Sequence, residues 1–224
     1  VTEHLLAVAV VLVGLTLVCA PTLWAQPRGP RAREVDDARV LVRNGRFGLP
    51  VLIAVLAVSG LLIEGLVTDW SALLITRDLG ASAALGATTL ALFSVAMFIS
   101  RSAGDTVLDR FTERTVLTTG AVVMICLVLL GSVAAHPLVM AVAIGLVGLV
   151  LGPMFPVAVS RAGRSAPGRA AAMTARVSAV GYIAYLGGPP VIGFVADVIG
   201  LPVTFAAAVA LGCVGIALAR RAPG

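Results

Sequence analysis

Two short stretches hold the charged groups in this chain that could do chemistry. The first is Glu64-Gly65-Leu-Val-Thr68-Asp69-Trp70-Ser71. The second runs from Arg101 through Gly104, Asp105 and Asp109 to Arg110, Phe111 and Arg114. At helical spacing, Gly60, Glu64, Thr68 and Ser71 share one face, a small polar stripe in an otherwise apolar segment. A carboxylate in that setting is suited to taking up and releasing a proton, or to contacting a polar solute. It is equally suited to bonding a neighbouring helix, or to being wetted at the mouth of a cavity. Trp70 favours the headgroup level of a bilayer and reads as a boundary anchor. Asp69 beside it reads as a solvated or capping acid, with substrate contact as the second role of both.

In the second stretch, Arg101, Asp105 and Asp109 are spaced by four, as are Arg110 and Arg114. On a continuing helix these form i, i+4 pairs, and Gly104 leaves room for another helix to approach. The cluster is either a charged loop that locks helices together or a solvated loop that sets topology. Tyr182 and Tyr185, three apart and near Ser178, are the only tyrosines. Their hydroxyls need partners if buried, which suits a cavity wall. Proline lacks an N–H and its ring clashes with the preceding turn. Gly188-Pro189-Pro190 is therefore expected to break or bend one segment, and Pro153 with Pro156 another. Such interruptions fall where a helix flexes or lines a cavity. Arg176 is expected to snorkel to the membrane surface, with an anion site as the other reading. Met154 and Phe155 read as packing.

The elements that must position these residues are membrane spans. The chain has 224 residues, 59% hydrophobic and only 12% charged. Soluble domains carry about 25% charged residues. Apolar runs cover about 5–24, 48–70, 82–100, 115–135, 137–159, 170–196 and 201–219, each long enough to cross ~30 Å as a helix. The fold class is therefore an all-α polytopic membrane protein of seven transmembrane helices. In this reading Glu64 lies in the outer third of its helix, about 24 Å from where the helix starts. The cysteines Cys19, Cys126 and Cys213 each lie inside an apolar run and read as buried structural thiols.

All sixteen basic residues are arginine. With the spans in place, fifteen fall on one side of the membrane and Arg77 alone on the other. That bias puts the N-terminus outside and the C-terminus in the cytoplasm. The net charge of +5 sits in short loops between spans, which argues for orientation and against a nucleic-acid surface. No basic region precedes the first apolar run, so a signal peptide is not expected there. A start with Val on the outer side implies that something precedes it in the complete protein. Domain organisation reads as a lone helix over 1–24, a basic cytoplasmic linker over 25–47 and a six-helix bundle over 48–224.

One helix, a long basic linker and six helices resemble the second half of a major facilitator superfamily transporter. The stretch Arg101-x-x-Gly104-Asp105-x-x-x-Asp109-Arg110-Phe111-x-x-Arg114 resembles the loop motif of that superfamily, in its second copy. It departs from the motif at Ser100, where Gly is usual, and at Thr112-Glu113, where Gly-Arg is usual. Glu64-Gly65-x-x-x-Asp69-Trp70-Ser71, Gly80-Ala81-Ser82 and Gly188-Pro189-Pro190-x-Ile192-Gly193-Phe194 resemble a bacterial branch related to fucose-permease-like sugar transporters.

The resemblance implies a secondary, proton-coupled transporter of a small solute in the plasma membrane. It implies a cytoplasmic gate formed by the Arg101–Arg114 loop, with a loop carboxylate facing the start of the next-to-last helix. The partners implied are the lipid bilayer, the solute with protons, and an N-terminal half that this chain lacks. The alternative is a chain that inserts without transporting, either as a remnant or as a split half needing a separate N-terminal half. An enzyme is not expected. The histidines His4 and His136 both fall at the outer surface, and no nucleophile, metal or phosphate-loop motif is present. No cofactor or metal is implied.

Overall fold

The computed structural model describes residues 50–220. The apolar segment expected over 5–24, the linker over 25–47, Cys19 and His4 lie outside the described residues. What is described is all-helical, and six helical stretches are long and apolar enough to cross a membrane. Helix α1 covers Val51–Leu73 and continues through a π-helical turn, Leu74–Asp78. Helix α2 is Ala83–Ser102, followed by the short α3, Gly104–Arg110. Helix α4 is Glu113–Ala134. Helices α5, Pro137–Leu151, and α6, Met154–Ser165, form one span interrupted at Gly152-Pro153. A 3-10 turn, Pro167–Arg169, leads to α7, Ala170–Ile199, and then to α8, Leu201–Ala219.

Local chemistry explains the ends. The Ser82 hydroxyl accepts from the Leu85 N–H at 3.3 Å, and Thr112 accepts from Thr115 at 3.2 Å. Each satisfies a backbone donor that a helix start leaves orphaned. Pro137 and Pro202 occupy first-turn positions, where no N–H is needed. Gly200 alone separates α7 from α8, and its φ of +83° is one that a side chain would oppose. Short connections make the six spans antiparallel neighbours. Arg101, Arg110, Arg114, Arg161, Arg164 and Arg169 therefore gather at one basic end of the bundle, and Arg77 stands at the other.

Helix α1 is central and packs against α2, α6, α7 and α8. Leu56, Ile63 and Leu66 of α1 are buried, together with Phe93, Ile144, Met154 and Phe205. Helix α7 is the opposite case. Only 11% of its apolar window is buried, against 61% for the α5–α6 span. Ile183, Leu186 and Phe194 are exposed along it. Such a face is stable only against lipid or further helices. Cys126 is exposed, contrary to the expectation of buried thiols, while Cys213 is buried. The inward positions of α4 are Leu117, Gly120, Ala121, Met124, Val128 and Gly131, and Cys126 falls off that helical face.

Helices α2 and α5 meet along a glycine stripe. A Cβ on Gly145 would lie 3.1 Å from Leu92 Cβ, and one on Gly152 would lie 2.8 Å from Ser100 Oγ. Between them, a Cβ on Gly148 would collide with the Phe93 carbonyl and sit 3.1 Å from the Met97 nitrogen. In lipid, small residues that let backbones approach are a main source of helix association. Gly148→Ala should therefore destabilise the bundle, because backbone must move. Gly120→Ala meets mainly the flexible tip of Met154 and the Val150 side chain and should be tolerated far better. Thermal unfolding in detergent checks the contrast, and equal melting temperatures for the two variants would contradict it.

Candidate functional site

The helix that carries the polar stripe is longer than its sequence suggests. It does not end near Trp70 but runs to Asp78, 28 residues in all. Glu64 stands midway along this helix. The helix continues because Leu74 and Ile75 are fully buried. It ends where Arg77 and Asp78 pair with each other at 3.1 Å. Trp70 lies about 12 Å short of the helix end by helical rise. Its ring packs over Gly193 of α7, where an added Cβ would be 3.2 Å away. The Trp70 Nε1 and Ser71 Oγ atoms are buried without a protein partner. Asp69, next to them, is exposed.

Glu64 is held by a neighbouring helix. Its Oε2 accepts from Arg101 Nη2 of α2 at 2.8 Å, with the side chains 20% and 42% exposed respectively. The long guanidinium side chain reaches from near the basic end to the middle of α1. Sequence reasoning placed these two residues on opposite membrane faces and paired Arg101 within its own loop. Separation along the chain gave no signal of the cross-helix pair, because the partner depends on how far an arginine reaches. One helical turn from Glu64, Thr68 Oγ1 donates to the carbonyls of Glu64 and Gly65, both at 3.0 Å. It also lies 3.3 Å from the Tyr185 hydroxyl of α7. Glu64 and Thr68, one turn apart on α1, thus reach α2 through Arg101 and α7 through Tyr185. Tyr182 stands edge-on to Phe155, with ring centroids 6.1 Å apart, and is 55% exposed.

The loop cluster is arranged differently. Helix α2 stops at Ser102, and α3 begins at Gly104, so the i, i+4 series is interrupted. Asp105, Asp109, Arg110 and Arg114 are exposed and make no ion pair with another described residue. Open space lies over Gly104, so the close approach it permits is not taken up in this conformation. Arg176 is half-buried near the start of α7. Helix α7 runs unbroken through Pro189 and Pro190, whereas the chain does break at Gly152-Pro153. Pro156 falls in the first turn of α6.

A second charged group, missed in the sequence, clamps the basic end. Arg161 is only 3% exposed. Its Nε donates to Glu113 Oε2 at 2.7 Å, and its Nη1 donates to the Ala219 carbonyl at 2.9 Å. Arg164 Nη2 donates to the other Glu113 oxygen at 2.5 Å, and Nη1 to Ser160 Oγ at 2.6 Å. One carboxylate thus joins α4 to α6, and the C-terminus of α8 adds a carbonyl whose helix dipole favours a cation. Glu113 occupies a position where the resembling loop motif carries Arg. Its readable signal was that departure, together with two arginines at helical spacing late in the α5–α6 span. No group of three or more His, Cys, Asp or Glu among the described residues could hold a metal ion.

Two outcomes follow from these pairs. Glu113→Ala leaves Arg161 buried without its counter-charge and should cost about 3 kcal/mol, whereas Arg164→Ala, at an exposed position, should cost well under half of that. Unfolding in detergent measures both. For the central pair, Arg101→Ala and Glu64→Gln should be non-additive. The double variant should recover about 1 kcal/mol relative to the summed single effects, and strict additivity would mean the pair contributes nothing.

The sequence profile of the Major Facilitator Superfamily matches residues 52–223. An uncharacterized MFS-type transporter of Yersinia pestis is 28% identical over 157 residues, covering 70% of this chain and 39% of that protein. The chain thus spans about two fifths of the length of this curated relative. No solved structure matches the chain. Six membrane-length helices, a polar stripe paired across helices at mid-span, and a family match over almost all the described residues lead to one assignment: the chain belongs to the major facilitator superfamily.

Proposed function

We propose that this chain supplies the C-terminal, six-helix half of a proton-coupled secondary transporter for a small polar solute. An N-terminal half provides the other wall of the cavity. The observation that carries this reading is the Glu64–Arg101 pair at mid-span, next to Thr68 and Tyr185. A carboxylate deep in a membrane protein is costly and marks a path for ions or substrate. The Glu64 carboxylate ties α1 to α2 through Arg101. A proton or solute that competes for this contact would change how the two helices are attached, which is what coupling requires.

The poorly buried face of α7 supports a second half, since Tyr182 and its apolar neighbours need cover. The short share of the curated relative that the chain covers supports it too. In this reading the basic end faces the cytoplasm, by the excess of arginine there. The exposed loop of Asp105, Asp109, Arg110 and Arg114 is the gate, closing over Gly104 in another conformation. The resemblance of the Glu64–Ser71 stretch to sugar permeases makes sugars or related polyols the first solutes to try.

The test is uptake by the complete transporter in everted vesicles, screened across small polar solutes with and without a proton gradient. Glu64→Gln should abolish gradient-driven uptake while leaving the protein inserted. Undiminished pH-driven uptake in that variant removes the proton role.

A further inference from the structure

Pro153 creates a vacancy in the α5–α6 span. Along a regular helix, the carbonyl of Leu149 would accept from the N–H of residue 153, four positions on. Proline has none. A backbone carbonyl left unsatisfied in a membrane span costs several kcal/mol. The structure fills the vacancy from another helix, for Ser100 Oγ of α2 donates to the Leu149 carbonyl. Gly152 makes this contact feasible, because a Cβ there would lie 2.8 Å from both Ser100 Cβ and Oγ. Ser100 stands where the loop motif usually has Gly, so the hydroxyl is a departure with a structural use.

The next residue is Arg101, which holds Glu64 of α1. Two consecutive residues at the end of α2 therefore close contacts to two different helices. One satisfies a broken span, and the other a mid-membrane carboxylate. A cavity of about 280 Å³, lined in part by Ser100, Val107, Phe111, Leu149 and Pro153, adjoins the break. It leaves the joint room to move.

We propose that Ser100 and Arg101 act as one pair of positioning residues that ties the Gly152-Pro153 joint to Glu64, so that releasing Arg101 from Glu64 loosens Ser100 from Leu149. This builds on the reading of Glu64 as the coupling acid, and it gives that acid a mechanical output.

Hydrogen exchange of the complete protein in lipid nanodiscs tests this without a known substrate. In Ser100→Ala, amides over 150–158 should exchange about five-fold faster, the effect of losing one hydrogen bond. Ser100→Thr, which keeps the hydroxyl, should restore protection. Arg101→Ala and Glu64→Gln should speed the same amides, although neither residue touches them. Peptides from Leu201–Ala219 serve as the control, because general unfolding would speed those equally. Acceleration in Ser100→Ala alone, or in none of the variants, overturns the proposal. Uptake separates the two ideas. Lost uptake in Glu64→Gln with unchanged exchange sinks the linkage and keeps the coupling role. Retained uptake with faster exchange does the reverse.

Discussion

Inside a bilayer there is little water to take up a polar group that the protein leaves unmet, which favours satisfying it from another part of the bundle. That constraint explains the cross-helix contacts described above. Glu64 finds Arg101, the Leu149 carbonyl orphaned by Pro153 finds Ser100, and buried Arg161 finds both Glu113 and the last carbonyl of α8. Each contact ties together helices that apolar packing alone would leave free to slide. Glycines at the α2–α5 seam bring the backbones close enough for the shortest of these contacts to form.

The two charge groups are built for different tasks. The Glu113 clamp has a buried arginine, two bonds to one carboxylate and a helix terminus, an arrangement that resists change. The Glu64–Arg101 pair is a single bond between partly accessible groups beside a tyrosine and a threonine. The clamp joins α4, α6 and α8 at the basic end, while the pair joins α1 to α2 midway along α1.

Much of the fold was legible because hydropathy reports spans directly, and their boundaries agree with the helices to within a few residues at most ends. The largest error was the far end of α1. Thr68, Asp69 and Trp70 look like the edge of a membrane, yet buried Leu74 and Ile75 carry the helix on to Asp78. Glu64 therefore stands midway along a longer helix. Thr68 and Tyr185 were each picked out as polar groups in apolar helices, and they do meet. The pairing of Arg101 was not legible, because sequence spacing speaks for neighbours on one helix and is silent about reach between helices. Arg161 was hidden for a similar reason, since an arginine near a span end reads as a topology signal whether it is solvated or buried. Of the two outcomes expected at Pro189 and Pro190, a break is absent, for α7 passes through them as one helix.

The clamp at the basic end also has a consequence for biosynthesis. A ribosome delivers α4 first, then α5–α6, and α8 last. Glu113 can meet Arg161 and Arg164 as soon as the α5–α6 span is in place, but the Ala219 carbonyl arrives only at the very end of the described chain. Until then a nearly buried guanidinium lacks one of its two partners. The described bundle therefore cannot reach its final packing span by span as it emerges. Its closing step waits for the last helix, and the partly assembled intermediate before that step is the state most in need of lipid or insertion machinery to shield it.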